Sequence, residues 1–318
     1  MKSRSVRTAA TATRFRRKPL ITALEPRLLM RYELSPLTSL KLNFQRITQY
    51  LFQISNNAVI APADTWKVAD SHVPPMTGDQ VALGLETTPR QGGVEISVEA
   101  YYKKLKNLPE YRNGAQLIMN PHIETSLIPA DGTAWGIEFQ GRKNSGRLTG
   151  WLNYTYSRSK RRTTSAFPEE QLWNGSYFPS EYDRPHDLSA VTTYHISRRW
   201  RFTTNFVYLS GRPVTLPEKL YSYGGETLIW YSDRNKYRMP SYNRLDVALT
   251  LDENLRKKRS WKGSWTLSVY NVYGRNNPYS VYYRKTVPSS ENDYRVYSLF
   301  KLSVIGIPVP SLTYNFRF

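Results

Sequence analysis

The sequence predicts an all-β protein, an antiparallel transmembrane β-barrel of about eleven strands, and three observations predict it. First, its segments alternate apolar and polar residues with period two, the pattern of a strand with one greasy and one wet face. Second, short turns of a few residues alternate with loops of roughly twenty or more, as they do where turns lie on one side of a membrane and loops on the other. Third, the apolar faces carry no charge. A Lys or Arg facing lipid at the midplane costs about 2–4 kcal/mol, so even a few would forbid insertion.

Bulk composition agrees. With 318 residues and 40% hydrophobic content a large core is possible, while a mean hydropathy of −0.57 and the lack of any apolar run near twenty exclude a spanning helix. Aromatics make up 14% of the chain, with 24 Tyr, which suits interfacial girdles. Cysteine is absent, which fits an oxidising compartment. The formal charge of +20 first suggests nucleic acid. Its placement argues against that partner. The bases sit in turns (Arg142-Lys143, Arg198-Arg199-Trp200-Arg201, Arg256-Lys257-Lys258-Arg259) and at a strand end (Arg158 to Arg162), and read as solvated turns and lipid-headgroup contacts.

Taken in order, residues 1–24 form a basic segment with no acid before Glu25, expected to be disordered. It lacks the apolar core of roughly 7–15 residues that a secretory signal requires. Leu28, Met30, Tyr32 and Leu34 make the first strand, Ser35–Ser39 a turn, and Leu40, Leu42 and Phe44 open a strand expected to reach about Ile54. Val81, Leu83 and Leu85 turn at Pro89–Gly93 into Val94, Ile96, Val98, Ala100 and Tyr102. Trp135, Ile137 and Phe139 turn at Asn144-Ser145-Gly146 into Leu148, Gly150, Leu152, Tyr154 and Tyr156. The next pair is Leu188 to Ile196 and Phe202 to Tyr208, followed by Leu245 to Leu251 and Trp265 to Val269. Tyr294 to Phe318 is expected to close the series, broken near Gly306–Pro310 by glycine and prolines. The final loop is placed near Pro288–Asn292. Leu312, Tyr314, Phe316 and Phe318 form the closing, membrane-inserting face, with aromatics for the interfacial belt.

Several stretches resemble the TonB-dependent outer-membrane receptors. They are Val269–Ser280, Ser303–Pro308 with the Phe-terminated strand, Tyr182–Ser189, Gly211–Val214, Tyr237–Asp246, Gly136-Ile137-Glu138 and Gly150-Trp151-Leu152, in that family's order and spacing. The resemblance covers nearly everything from Glu25 to Phe318. It implies a 22-stranded barrel with a plug, and uptake of a scarce ligand driven by the TonB energy complex. About eleven strands are half of that number, and neither plug, TonB box nor signal peptide is read in the sequence. Residues 25–318 are therefore expected to be the C-terminal part of the barrel, a fragment or truncated frame not transport-competent alone. The partners expected are outer-membrane lipid, a missing N-terminal barrel half and plug, TonB only through that plug, and an unknown extracellular ligand.

Loop aromatics are the candidate ligand contacts: Trp66, Tyr111, Trp173, Tyr177, Tyr221, Tyr223 and Trp230. Loop-to-loop packing or headgroup contact is the plainer account of them. Arg212 and Arg234 could meet an anionic ligand or be salt-bridged within the loops. His186 and Asp187 lack a nucleophile, so no catalytic residue is expected. His72, His122, His186 and His195 show no ligand spacing, so no metal and no cofactor is expected. Glu95, Glu99 and Lys103 share an inward face, where such charges pair with each other or with a plug. Two other classes stay open: a small outer-membrane pore or barrel hydrolase, and a soluble β-rich glycan-binding module. Ligand identity (siderophore, cobalamin, oligosaccharide or peptide) is not readable.

Overall fold

The computed structural model describes residues 22–54, 65–89, 93–117, 119–224, 226–253, 262–285 and 297–317. The basic segment of residues 1–21, the turn residues 90–92 and Phe318 lie outside the described residues.

One antiparallel sheet makes up most of the chain. Its eleven consecutive strands are β1 (Arg27–Ser35), β2 (Thr38–Gln49), β3 (Met76–Thr87), β4 (Val94–Tyr111), β5 (Leu127–Lys143), β6 (Leu148–Thr163), β7 (His186–His195), β8 (Trp200–Leu209), β9 (Tyr242–Asp252), β10 (Lys262–Tyr270) and β11 (Val309–Arg317). Each pairs with the next in sequence, and the short piece Phe178–Pro179 adds to the upper end of β6. Among the described residues β1 and β11 do not pair with each other, so the sheet is an open wall with two edges.

Register places the apolar residues in continuous rows. Phe44 lies opposite Leu28 and Val81, Val81 opposite Tyr102, Tyr102 opposite Trp135 and Trp135 opposite Arg158. Further round, Phe206 meets Leu245, Leu249 meets Leu267, and Leu267 meets Leu312. This face is uncovered: Leu83 is 50% exposed, Ile137 49%, Leu267 53% and Leu312 65%. Leu245, Val247 and Leu249 are half-buried by their sheet neighbours, and no second sheet lies over them among the described residues. Polar side chains fill the opposite face, where cross-strand pairs such as Thr193 and Thr203 (3.1 Å) and Thr250 and Thr266 (3.0 Å) join hydroxyls.

Buried side chains gather instead at the end where the long connections lie. Phe52, Ile54, Val73, Leu117 and Ile123 form one cluster, and Ile128, Leu172 and Phe178 another. These connections also hold strands that period-two reading had merged with the wall or left as loop. The β2 pattern ends at Gln49, and Leu51–Ile54 pairs instead with Thr65–Val68 as a separate hairpin. Ser280–Lys285 pairs with Tyr297–Leu302, so the closing strand starts only at Val309 and the final connection is a long one. Pro217–Tyr223 pairs with Glu226–Tyr231. Glu95, Glu99 and Lys103 do not pair with one another. Glu95 accepts from Asn144 Nδ2 at 3.1 Å, and Lys103 lies 5.1 Å above the Tyr101 ring.

Asparagines tie β9 to the connection that follows β10. Asn271, left-handed at φ 52° and buried, donates its backbone N–H to Asp246 Oδ1 at 2.9 Å. Asn277 clamps Asn243, donating from Nδ2 to its carbonyl at 2.7 Å and accepting its N–H at 3.0 Å. The Val269–Ser280 motif is thus a backbone brace at the loop end.

Candidate functional site

The site begins with one extra residue. Leu105 lies opposite Gly132 but Leu108 opposite Ala130, so β4 carries three steps where β5 carries two. Asn107 takes up the difference in the left-handed region at φ 58°, a conformation asparagine tolerates better than most residues, and its Nδ2 donates to the Pro75 carbonyl at 3.2 Å. Before the bulge the odd residues of β4 share the face of Gly132; after it the even ones do. Glu110 is thereby turned to the same face as Ile128 and Ala130 and buried there.

A buried carboxylate needs partners, and Glu110 has two. Arg161, from the end of β6, donates to Oε2 at 2.9 Å, and Arg234, from the 210–241 connection, donates to Oε1 at 2.8 Å. Arg234 also donates to the Tyr111 carbonyl at 3.1 Å and to Asn113 Oδ1 at 3.3 Å, with its guanidinium 3.8 Å from the Tyr111 ring centroid. The Arg234 carbonyl accepts the Trp173 indole N–H at 2.8 Å. Three long connections therefore meet at Arg234, two through its guanidinium and the third through its carbonyl. Around it opens a cleft of about 320 Å³ whose walls include Phe52, Ile54, Leu108, Arg161, Glu181 and Tyr182.

A second buried carboxylate lies near the first. Asp183 accepts the Ser159 N–H at 2.7 Å and pairs with Arg158 at 3.4 Å and with Arg238. Arg238 donates further to the Asp183 carbonyl at 2.7 Å and the Gly211 carbonyl at 3.1 Å, locking the 210–241 connection to β6. At Gly211 a Cβ would land on the Met239 carbonyl oxygen, which is why only glycine fits there.

Of the residues singled out from sequence, the structure brings together Tyr111, Trp173 and Arg234. For Arg234 the intramolecular salt bridge is the state observed. Arg212 lies apart, in a second pocket of about 330 Å³ with Arg184, Met239, Tyr242 and Tyr279, donating to the Tyr279 carbonyl at 3.3 Å. Burial, and then the like charge of Arg184, push Arg212 below the ordinary guanidinium value. Tyr177 stacks under Arg162, 5.0 Å from its guanidinium. Trp66, Tyr221, Tyr223 and Trp230 are exposed on loop hairpins and do not converge on the cleft. On the closing strand, Tyr314 packs 4.6 Å from Trp265 and 6.2 Å from Phe316, beside Leu312 on the uncovered face. His186 sits against Tyr154, whose hydroxyl lies 2.9 Å from Nδ1.

Sequence reasoning missed Glu110, Arg161, Asp183 and Arg238. One signal was present: in Lys104-Leu105-Lys106-Asn107-Leu108 the alternation slips by a residue at an asparagine. Chemically, the cleft sets two guanidiniums and two carboxylates beside aromatic faces, a lining suited to a ligand with both charged oxygens and flat apolar parts.

The chain matches the family described as TonB dependent receptor-like, beta-barrel, over residues 2–272. Among solved structures it is similar to the ferripyoverdine receptor of the outer membrane of Pseudomonas aeruginosa bound to ferripyoverdine, with TM-score 0.53 and 13% identity, covering 92% of this chain and 32% of that one. It is also similar to the ferric-catecholate import receptor Fiu of K12 E. coli in its closed form, again with TM-score 0.53 and 13% identity, covering 90% and 34%. A further likeness is to P. aeruginosa FpvA bound to heterologous pyoverdines, at 0.53 and 13%, covering 92% and 33%. The chain spans about a third of the length of these structures. No curated protein matches it.

Proposed function

The chain belongs to the TonB-dependent receptor β-barrel family, and on that premise we propose that residues 25–318 form the C-terminal wall of an outer-membrane receptor that takes up a scarce ligand. One observation carries this reading: eleven paired strands present an uncovered apolar face whose charges are confined to its two ends, which in water would be an aggregation surface and in lipid is the stable arrangement. Its two open edges call for further strands, because hydrocarbon leaves no unpaired backbone group satisfied. The remaining strands and a plug come from the rest of the protein. Energy from the TonB complex reaches the barrel through that plug, so this chain is not transport-competent alone. The solved relatives bind ferripyoverdine or import ferric catecholate. An iron–siderophore chelate is accordingly the ligand class proposed, met by the Tyr111–Trp173–Arg234 loops. No catalytic role is assigned.

The uncovered face weighs against a soluble glycan-binding module, and the open sheet against a self-closing small pore. The test is labelling of Leu83→Cys, Ile137→Cys and Leu267→Cys in purified outer membranes. Reaction with a lipid-soluble maleimide but not with a charged one is expected. Equal reaction with both at all three positions would overturn the membrane reading.

A further inference from the structure

Outward-facing bases are not scattered over the wall. Register shows that residues sharing the uncovered face on β7, β8, β9, β10 and β11 include no Lys or Arg. On β2 to β6 the bases on that face, apart from Lys143 at a turn, all lie at the loop end. They are Arg46, Lys104, Lys106, Arg158, Lys160 and Arg162. Two of these are already neutralised. Arg46 holds Asp79 through two bonds of 2.6 and 2.9 Å, and Arg158 pairs with Asp183 at 3.4 Å.

Four remain without an ion pair among the described residues. Lys104 lies opposite Thr133, and Thr133 opposite Lys160, so a Lys–Thr–Lys row crosses three strands, about 10 Å from end to end at normal strand spacing. One row further from the midplane are Lys106, opposite Thr77, and Arg162, opposite Asp131 and stacked on Tyr177. Asp79 and Asp131 are the acids in these rows. Directly below lie Val81, Tyr102 and Trp135 in one row, and below them the exposed side chains of Leu83, Ile137 and Val98. Apolar, aromatic, then cationic is the order in which an anionic amphiphile presents its chains, interface and headgroup.

We propose that Lys104, Lys106, Lys160 and Arg162 form a binding site for the phosphate headgroup of an anionic lipid in the leaflet facing the long loops. This rests on the membrane reading above. The lipid's acyl chains lie along Val98 and Ile137, its interface abuts Tyr102 and Trp135, and its phosphate bridges Lys104 and Lys160 with the Thr133 hydroxyl between them. A lipid held there would brace the outer ends of β4 to β6, the strands that carry Glu110 and Arg161.

The test is flotation of the chain with vesicles of phosphatidylcholine, alone or with phosphatidic acid. A preference of at least about tenfold for phosphatidic acid is expected, set by roughly additive contributions of basic residues near a surface. It should fall to twofold or less in Lys104→Gln/Lys106→Gln/Lys160→Gln/Arg162→Gln. The same loss of charge placed elsewhere, in Arg142→Gln/Arg147→Gln/Arg198→Gln/Lys219→Gln, should retain most of it. An equal loss in both quadruple variants would mean that total charge alone sets the preference and would overturn the site. Inorganic phosphate at millimolar concentration should not compete; full competition would make this a phosphate site rather than a lipid one. Flotation with phosphatidylcholine but no preference for phosphatidic acid overturns the inference alone. Failure to float with either vesicle removes the membrane reading and the inference with it. If the fourfold variant does not insert, Lys104→Gln/Lys160→Gln is read in the same way.

Discussion

Removal of the Glu110 charge should release three loops at once. The Glu110 side chain is 4% exposed, and its partners Arg234 and Arg161 are 6% and 19% exposed. At an effective dielectric near 20, each contact is worth about 4 kcal/mol before the two guanidiniums' mutual repulsion is subtracted. Breaking a buried ion pair by deleting one partner typically costs about 3–5 kcal/mol, because the other charge is left unpaired. Glu110→Gln keeps one acceptor oxygen, which places it near the lower end, at about 3 kcal/mol. If the loss is local, amide exchange in residues 111–114 and 232–236 should accelerate by about two orders of magnitude while the wall stays protected. The contrasting variant is Glu110→Met/Arg161→Met/Arg234→Met. It replaces the whole cluster with apolar groups of similar length and should lie within about 1 kcal/mol of the parent. Hydrogen exchange followed by mass spectrometry on the detergent-solubilised chain reads both. Exchange in Glu110→Gln within twofold of the parent would refute the claim that Glu110 holds the loops together.

Deletion of Asn107 removes the extra residue and leaves Leu105 and Leu108 two places apart opposite Gly132 and Ala130, so Leu108 and Glu110 should keep their face. Glu110→Cys in that background should stay inaccessible to labelling, and ready labelling would refute the register. Ile137→Arg puts a guanidinium on the uncovered face and should cost about 2–4 kcal/mol at the midplane, read as a lower folded fraction on detergent refolding. The Asp70 loop should be acid-sensitive. Burial alone would raise this carboxyl, but Lys67 and the amides of Val73 and His72 outweigh it and hold the group at about 2, below its ordinary 3.8. A carboxyl so lowered stabilises the loop fully above about pH 4 and loses that contribution as pH falls through about 2. The Val73 amide resonance should follow this titration, and in Asp70→Asn the pH dependence should vanish.

The wall was legible because a membrane enforces one rule on every strand: side chains that meet lipid must be apolar, and they recur at every second residue. That rule marked the apolar faces of β1 to β10 and the alternation of short and long connections. It could not say which strand pairs with which. Tyr297–Leu302 carries the same alternation as β11, yet it pairs with Ser280–Lys285 in a connection outside the wall. Leu51–Ile54 continues the β2 pattern in the same misleading way. The ion clusters were less visible still. Glu110 and Arg234 are 124 residues apart in sequence, and nothing in either neighbourhood announces the other. Aromatic content pointed to Trp173 and Tyr111, which meet at Arg234, but equally to Trp66 and Trp230, which do not, because a ring on a loop looks the same in sequence whether it packs against a neighbour or meets solvent.

The count of eleven in the open wall has a directional consequence. In an antiparallel run, odd-numbered members point one way, so β1 and β11 descend together from the loop end. Joined to each other they would meet in parallel, and a second copy inserted in the same sense would create two such seams. A ring of uniformly alternating direction requires a complement with an odd number of strands whose first and last members both ascend. A second copy of the same wall is therefore not that complement.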